Sequence, residues 1–262
     1  VCTLHGCASD SSSGAGGSSG AGGMGGQGAV GGGAVPGPAI GCDPLTPTFC
    51  GFPYPNDYFT VADETTVTGK RLALPVVAMP VDSSDRASDP GAFNEMDGFS
   101  PGIAAMAHFH GATVTGLATP ATIETSLASD SPTVLLNAET GERVPHWVDR
   151  DEWVVEAKRR VEAGEDRPNF TIPRSLEELQ QEQALMLRPA IRLDDATRYI
   201  VAIRDVVDES GDPVEPSSAF SALRDGTDGD AVVESRRAHF EGIFAELEAA
   251  GVERGDLQLA WD

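Results

Sequence analysis

Three groupings of side chains in this chain could do chemistry. The first would pair a hydroxyl nucleophile with a histidine base oriented by an acid, as a serine hydrolase does. The five histidines are His5, His108, His110, His146 and His239. A nucleophilic serine of that kind sits in G-x-S-x-G between a strand and a helix. The letters occur at Gly16-Gly17-Ser18-Ser19-Gly20, within low complexity that supplies neither flank, and no serine of the body reads as a plausible elbow. Gly20-Ala21-Gly22-Gly23-Met24-Gly25 matches a dinucleotide fingerprint in letters and fails for the same reason. His239 falls on an amphipathic helix and His146 in a strand beside Trp147, both read as surface or edge positions. No catalytic residue and no cofactor is assigned.

The second grouping is His108-Phe109-His110, which would put two imidazoles on one face of an extended segment, as a metal pair requires. On a helix the two diverge. The third is Asp225-Gly226-Thr227-Asp228-Gly229-Asp230, rich in oxygen donors and turns. Its spacing misses the EF-hand pattern, and a polar turn capping a helix at Asp230 accounts for it more simply. No metal site is assigned, and calcium at Asp225, Asp228 and Asp230 stays open.

The cysteines are Cys2, Cys7, Cys42 and Cys50. Cys42 and Cys50 flank a short loop bent by Pro44 and Pro47. In an exported protein they are expected to form one local disulfide, with two free thiols as the alternative. Metal binding by two cysteines at this spacing, without nearby histidines, is not expected.

The elements that would position these groups lie in a body of roughly 220 residues, long enough to bury about 70% of its unfolded surface. A net charge of −23 argues against nucleic acid as a partner and against electrostatic adhesion to anionic lipid. No apolar run approaches a membrane-spanning length. Prolines alternating with aromatics from Phe52 to Phe59 predict an extended segment pinned at the core edge. Ser100-Pro101 predicts a helix start, with Ile103, Met106, Ala107 and Phe109 continuing it.

Thr133–Asn137 and Arg143–Val148 predict a hairpin turning at Ala138-Glu139-Thr140-Gly141. Ala184–Pro189 and Arg198–Ile203 predict two further strands, and Asp208–Pro213 a turn. Charged residues around Lys158 predict a solvated helix or loop. From Val232 to Ala250 the spacing of Phe240, Ile243, Phe244 and Leu247 predicts a helix stopped by Gly251. Leu257–Asp262 predicts a strand in mid-course, so the chain reads as a fragment of a longer protein.

Leu4-His5-Gly6-Cys7 resembles the lipobox of bacterial lipoproteins, whose cysteine is acylated once the signal peptide is removed. Residues 1–6 would then be a signal peptide remnant. Cys7 would be the lipidation site, with the lipid bilayer as partner through the acyl anchor. Residues 7–41, nearly all Gly, Ser, Ala and Pro, would be a disordered linker spanning ~30–35 Å. Ala8 after the cysteine points toward the outer membrane of a cell envelope, with the body periplasmic or surface-exposed.

Residues 42–262 carry two further likenesses. Leu185-Met186-Leu187-Arg188-Pro189, Tyr199-Ile200-Val201 and Asp208-Glu209-Ser210-Gly211-Asp212-Pro213 resemble bacterial immunoglobulin-like modules. With Phe52-Pro53-Tyr54-Pro55-Asn56-Asp57, Met96-Asp97-Gly98-Phe99-Ser100 and Leu259-Ala260-Trp261-Asp262, the body resembles the N-terminal domain of bacterial surface lipase and lysophospholipase lipoproteins of the Vibrio type. The resemblance implies a mainly β (α+β) fold: an immunoglobulin-like β-sandwich with helical insertions. It also implies a non-catalytic domain whose partner is a downstream α/β-hydrolase domain of the same chain, carrying the nucleophilic serine. The alternative is a surface binding or adhesion lipoprotein without enzymatic activity.

Overall fold

The computed structural model describes residues 41–82, 84, 86–150, 152–165 and 174–262. The expected anchor Cys7, the glycine-rich motifs and all but the last residue of the linker lie outside the described residues.

Eight strands build the body: β1 (Thr60–Ala62), β2 (Lys70–Leu72), β3 (Ala105–Ala107), β4 (Thr133–Asn137), β5 (His146–Arg150), β6 (Leu185–Pro189), β7 (Tyr199–Arg204) and β8 (Leu257–Trp261). Helices α1 (Trp153–Glu162) and α2 (Leu176–Gln181) lie between β5 and β6. Helices α3 (Ser218–Asp225) and α4 (Ala231–Ala249) lie between β7 and β8. The fold is mainly antiparallel β, as expected. One sheet has the order β3-β6-β5, another β4-β7-β8, and β1-β2 forms a small separate ribbon.

The two larger sheets share one core. Every residue of β4 and β8 is buried, as are all of β7 except Tyr199. A strand buried on both faces must be apolar almost throughout, and Val134-Leu135-Leu136 and Ile200-Val201-Ala202-Ile203 meet that requirement. The inner face of this sheet turns to the β3-β6-β5 sheet, where Thr133 Oγ1 lies 2.9 Å from His146 Nε2 across the gap. Its outer face is covered by α3 and α4, whose Phe220, Phe240, Ile243, Phe244 and Leu247 belong to the same core. The molecule is thus a two-sheet stack with a helical layer on one side. Phe59, Leu72, Leu74 and Met79 form a small second core under the β1-β2 ribbon.

Helix α4 begins at the cap read from sequence, Asp230, whose Oδ1 accepts from the amides of Val232 and Val233 at 2.9 Å. Gly251 follows its end at φ 78°, a conformation that favours glycine. The charged stretch around Lys158 forms α1, and Cys42 and Cys50 are joined by a disulfide.

Two of the expected elements do not form as read. The segment after Ser100 makes a single turn, Ile103 N to Ser100 O at 3.2 Å, and then becomes β3. Its residues pair with β6 on one side, while Met106 exchanges backbone hydrogen bonds with Tyr54 on the other. Two sheet neighbours compete with a helix too short to outlast them. The predicted hairpin forms only at its tip, where Asn137 N bonds Glu142 O at 2.9 Å and Val144 N bonds Leu135 O at 2.7 Å. Pro145 then has no amide to continue the ladder. The chain crosses to the other sheet, where β5 pairs with β6.

Candidate functional site

The described residues bring Asp57, His239 and Asp262 together at the edge of the sheet stack. Asp57 opens a short 3-10 turn capped by Asn56, whose side chain accepts from Tyr58 N. The Asp57 amide donates to the Asp262 carbonyl at 2.7 Å. One residue earlier, Trp261 Nε1 donates to the Pro55 carbonyl at 2.7 Å. The incoming segment and the end of β8 are thereby locked edge to edge. His239 comes from α4, one position before the buried Phe240, which leaves its ring at the rim of the helix.

His239 Nε2 lies 2.8 Å from Asp262 Oδ1 and 4.0 Å from Asp57 Oδ2. An ionised carboxylate only accepts, so Nε2 carries the proton toward Asp262. The other Asp262 oxygen accepts from Arg198 Nε at 2.6 Å, and Arg198 Nη1 reaches Glu246 Oε1 at 2.8 Å. The second Asp57 oxygen accepts from Thr60 Oγ1 at 2.7 Å and pairs with Lys70. Burial pushes the Asp262 carboxyl up, but the His239 hydrogen bond and the charges of His239 and Arg198 outweigh it. The group stays below its ordinary range.

Beside this cluster a cleft of about 580 Å³ opens between the two sheets. Leu135, Val201 and Trp261 form its buried floor, and Phe99, Ile103 and Tyr199 line its walls. Asp57, Lys70, Asp97, Arg198 and Asp262 ring the mouth. The cleft is apolar inside with a charged rim, the usual form of a small-molecule site.

The other groups singled out from sequence are placed elsewhere. His108 is buried, with Nε2 3.3 Å from the Gln181 carbonyl and its ring 4.3 Å from that of Phe49. Burial pulls its pKa down to about 4, so it is neutral at pH 7. His110 is exposed, and the two do not join any metal-type cluster among the described residues. His146, expected at a surface or edge, is wholly buried. Its Nδ1 meets the Val144 carbonyl at 2.9 Å and its Nε2 the Thr133 hydroxyl, and burial lowers its pKa. An aromatic-flanked strand position signalled a half-buried edge, but the second sheet closes over it.

Asp225 is engaged by Arg224 Nε at 2.7 Å, and Asp230 caps α4, the role that was the simpler reading. The His239–Asp262 pair was not foreseen. The Trp261-Asp262 signature and His239 were each visible in the sequence, but nothing local says that they meet.

Comparison with models of known protein families, with curated proteins and with solved structures finds no match for this chain.

Proposed function

We propose that residues 42–262 form the non-catalytic N-terminal domain of a lipid-anchored cell-envelope protein, built around an immunoglobulin-like sandwich. In this reading the domain spaces and orients a lipase- or esterase-like hydrolase domain downstream in the same chain. The observation that supports it is the lock between Pro55-Asn56-Asp57 and Trp261-Asp262. A domain hung on a long tether controls the direction of its downstream neighbour only if its incoming and outgoing segments are fixed to each other. Here they share two backbone-anchored hydrogen bonds and an ion-pair cluster. Among the described residues, no hydroxyl or thiol is hydrogen-bonded to a histidine ring except that of Thr133, buried between the sheets.

The test is to read the gene past the codon for Asp262 and assay the product. A strand–G-x-S-x-G–helix followed by an acid and a histidine is expected, with ester hydrolysis in the longer chain and none in the 262 residues. A stop codon or a run of β-modules overturns the hydrolase partner. Radiolabelled palmitate on the full precursor, lost in Cys7→Ser, is the expected sign of the anchor.

The second reading, a surface binding module, is favoured by the cleft. Its apolar floor and charged rim suit a ligand with one apolar and one polar end. A stop codon after Asp262 together with saturable ligand binding would establish it over the first.

A further inference from the structure

We propose that Asp57 Oδ2, His239 Nε2 and Asp262 Oδ1 form a binding site for a divalent transition-metal ion, zinc being the first choice. The site does not depend on the tethered-domain reading. Imidazole nitrogen and carboxylate oxygen are both zinc ligands, and three protein ligands leave a coordination position open.

The three donor atoms lie within 4.8 Å of one another. At bonds of about 2.0–2.2 Å, tetrahedral donors sit about 3.3–3.6 Å apart. The observed 2.8 Å and 4.0 Å separations bracket that spacing and the two carboxylate oxygens lie within 4.8 Å of each other, so movements of at most about 1.5 Å bring the three together. A histidine rotamer and a carboxylate torsion can supply them, and the Nε2 proton leaves to Nδ1 or to solvent as the ion takes its place.

The oxygens that would not bind the ion are held as well. Thr60 Oγ1 and Lys70 hold the outer oxygen of Asp57, and Arg198 Nε holds that of Asp262. Outer-oxygen hydrogen bonds of this kind aim the inner oxygens and are the usual support around a metal site. The three ligands also come from three separate segments, and Asp57 and Asp262 are tied by their own backbone bond. An ion pair between two side chains needs no such third arm.

Asp57 and Asp262 both line the mouth of the 580 Å³ cleft. An ion held there would lie beside a cleft large enough for a small organic ligand. Lys70 and Arg198 offset the two carboxylates, while Glu246 on α4 restores negative charge behind Arg198.

The test uses the full 262-residue chain carrying Cys2→Ser and Cys7→Ser, which removes competing thiols and leaves the Cys42–Cys50 disulfide. Zinc is titrated calorimetrically into chelator-stripped protein. One ion per chain is expected, weakened at least tenfold by His239→Ala and by Asp57→Asn and unchanged by His110→Ala. His239 is on the rim of α4, so its replacement leaves the helix core intact, which circular dichroism checks. Absence of saturable zinc binding overturns the proposal, as does binding that His239→Ala leaves unaltered.

Discussion

Asp43 and Arg236 stand 193 positions apart in the chain, yet Arg236 Nη1 donates to Asp43 Oδ1 at 2.7 Å in a site where the carboxylate is wholly buried. The same carboxylate accepts from Leu45 N at 2.9 Å and from Asn56 Nδ2 at 2.6 Å. The guanidinium lies 4.8 Å from the Tyr58 ring centre and 4.9 Å from that of Phe240. One buried ion pair thus nails the first described loop, disulfide included, to the second turn of α4.

Removing one partner of this pair leaves a buried charge alone, which typically costs about 3–5 kcal/mol. Arg236→Met is expected to lower stability by that order, and Asp43→Asn by less, because an amide keeps the hydrogen-bonding shape. Urea unfolding followed by tryptophan fluorescence measures both. A loss below about 1 kcal/mol for Arg236→Met would show that the loop is held by other contacts.

His108 carries a pH dependence. Its folded pKa, about 4, lies below the ordinary 6.5, so the unfolded chain binds the proton more readily. The contribution to stability is full above pH 6.5 and is lost as the pH falls toward 4, on the order of 3 kcal/mol in total. His146 shifts the same way. Thermal melts from pH 7 to pH 4 should fall more steeply for the natural chain than for His108→Gln. Equal slopes would remove His108 as the source.

The Cys42–Cys50 disulfide closes a loop of sequence separation 8. Chain entropy assigns such a loop about 2–3 kcal/mol. Because Asp43, inside the loop, bonds both Arg236 and Asn56, the Cys42→Ala/Cys50→Ala double variant is expected to fold with that loss. Calorimetric melting decides it, and failure to fold at room temperature would contradict that figure.

Gln258 is a buried polar side chain that repairs a break in the sheet. At Ile203/Arg204 the β7–β8 register shifts, and Gln258 Oε1 takes Val206 N at 2.8 Å. Its Nε2 donates to Val206 O at 2.9 Å and Val214 O at 2.7 Å. Gln258→Leu keeps the volume and strips the Val206 amide and the Val214 carbonyl of these partners, each worth about 1 kcal/mol or more. A loss of about 2 kcal/mol is expected in urea unfolding, with faster hydrogen exchange at Val206 N. A neutral result would mean that other groups replace the amide.

Sequence carried the local elements well where neighbouring residues agree with one another. Helix α4 has its cap at Asp230, an apolar stripe at Phe240, Ile243, Phe244 and Leu247, and a stop at Gly251, all within or beside its own span. β6, β7 and β8 were legible from short apolar runs, and the Cys42–Cys50 bridge from spacing. The Ser100–Phe109 segment was not, because its apolar spacing fits a helix and only the flanking Tyr54 and β6 ladders make it a strand.

By itself, then, the chain's order of residues determined helix α4 with its cap and stop, the apolar runs that became β4, β6, β7 and β8, and the turn at Asp208–Pro213. Tertiary structure alone decided that the hairpin after Asn137 splits between two sheets, that His146 is enclosed, and that Asp57, His239 and Asp262 meet. Propensity and capping act over a few residues and leave their mark in adjacent letters. Strand pairing and ion-pair clusters are chosen among distant partners by which arrangement buries the shared core with its polar groups satisfied, and no window of sequence holds that comparison.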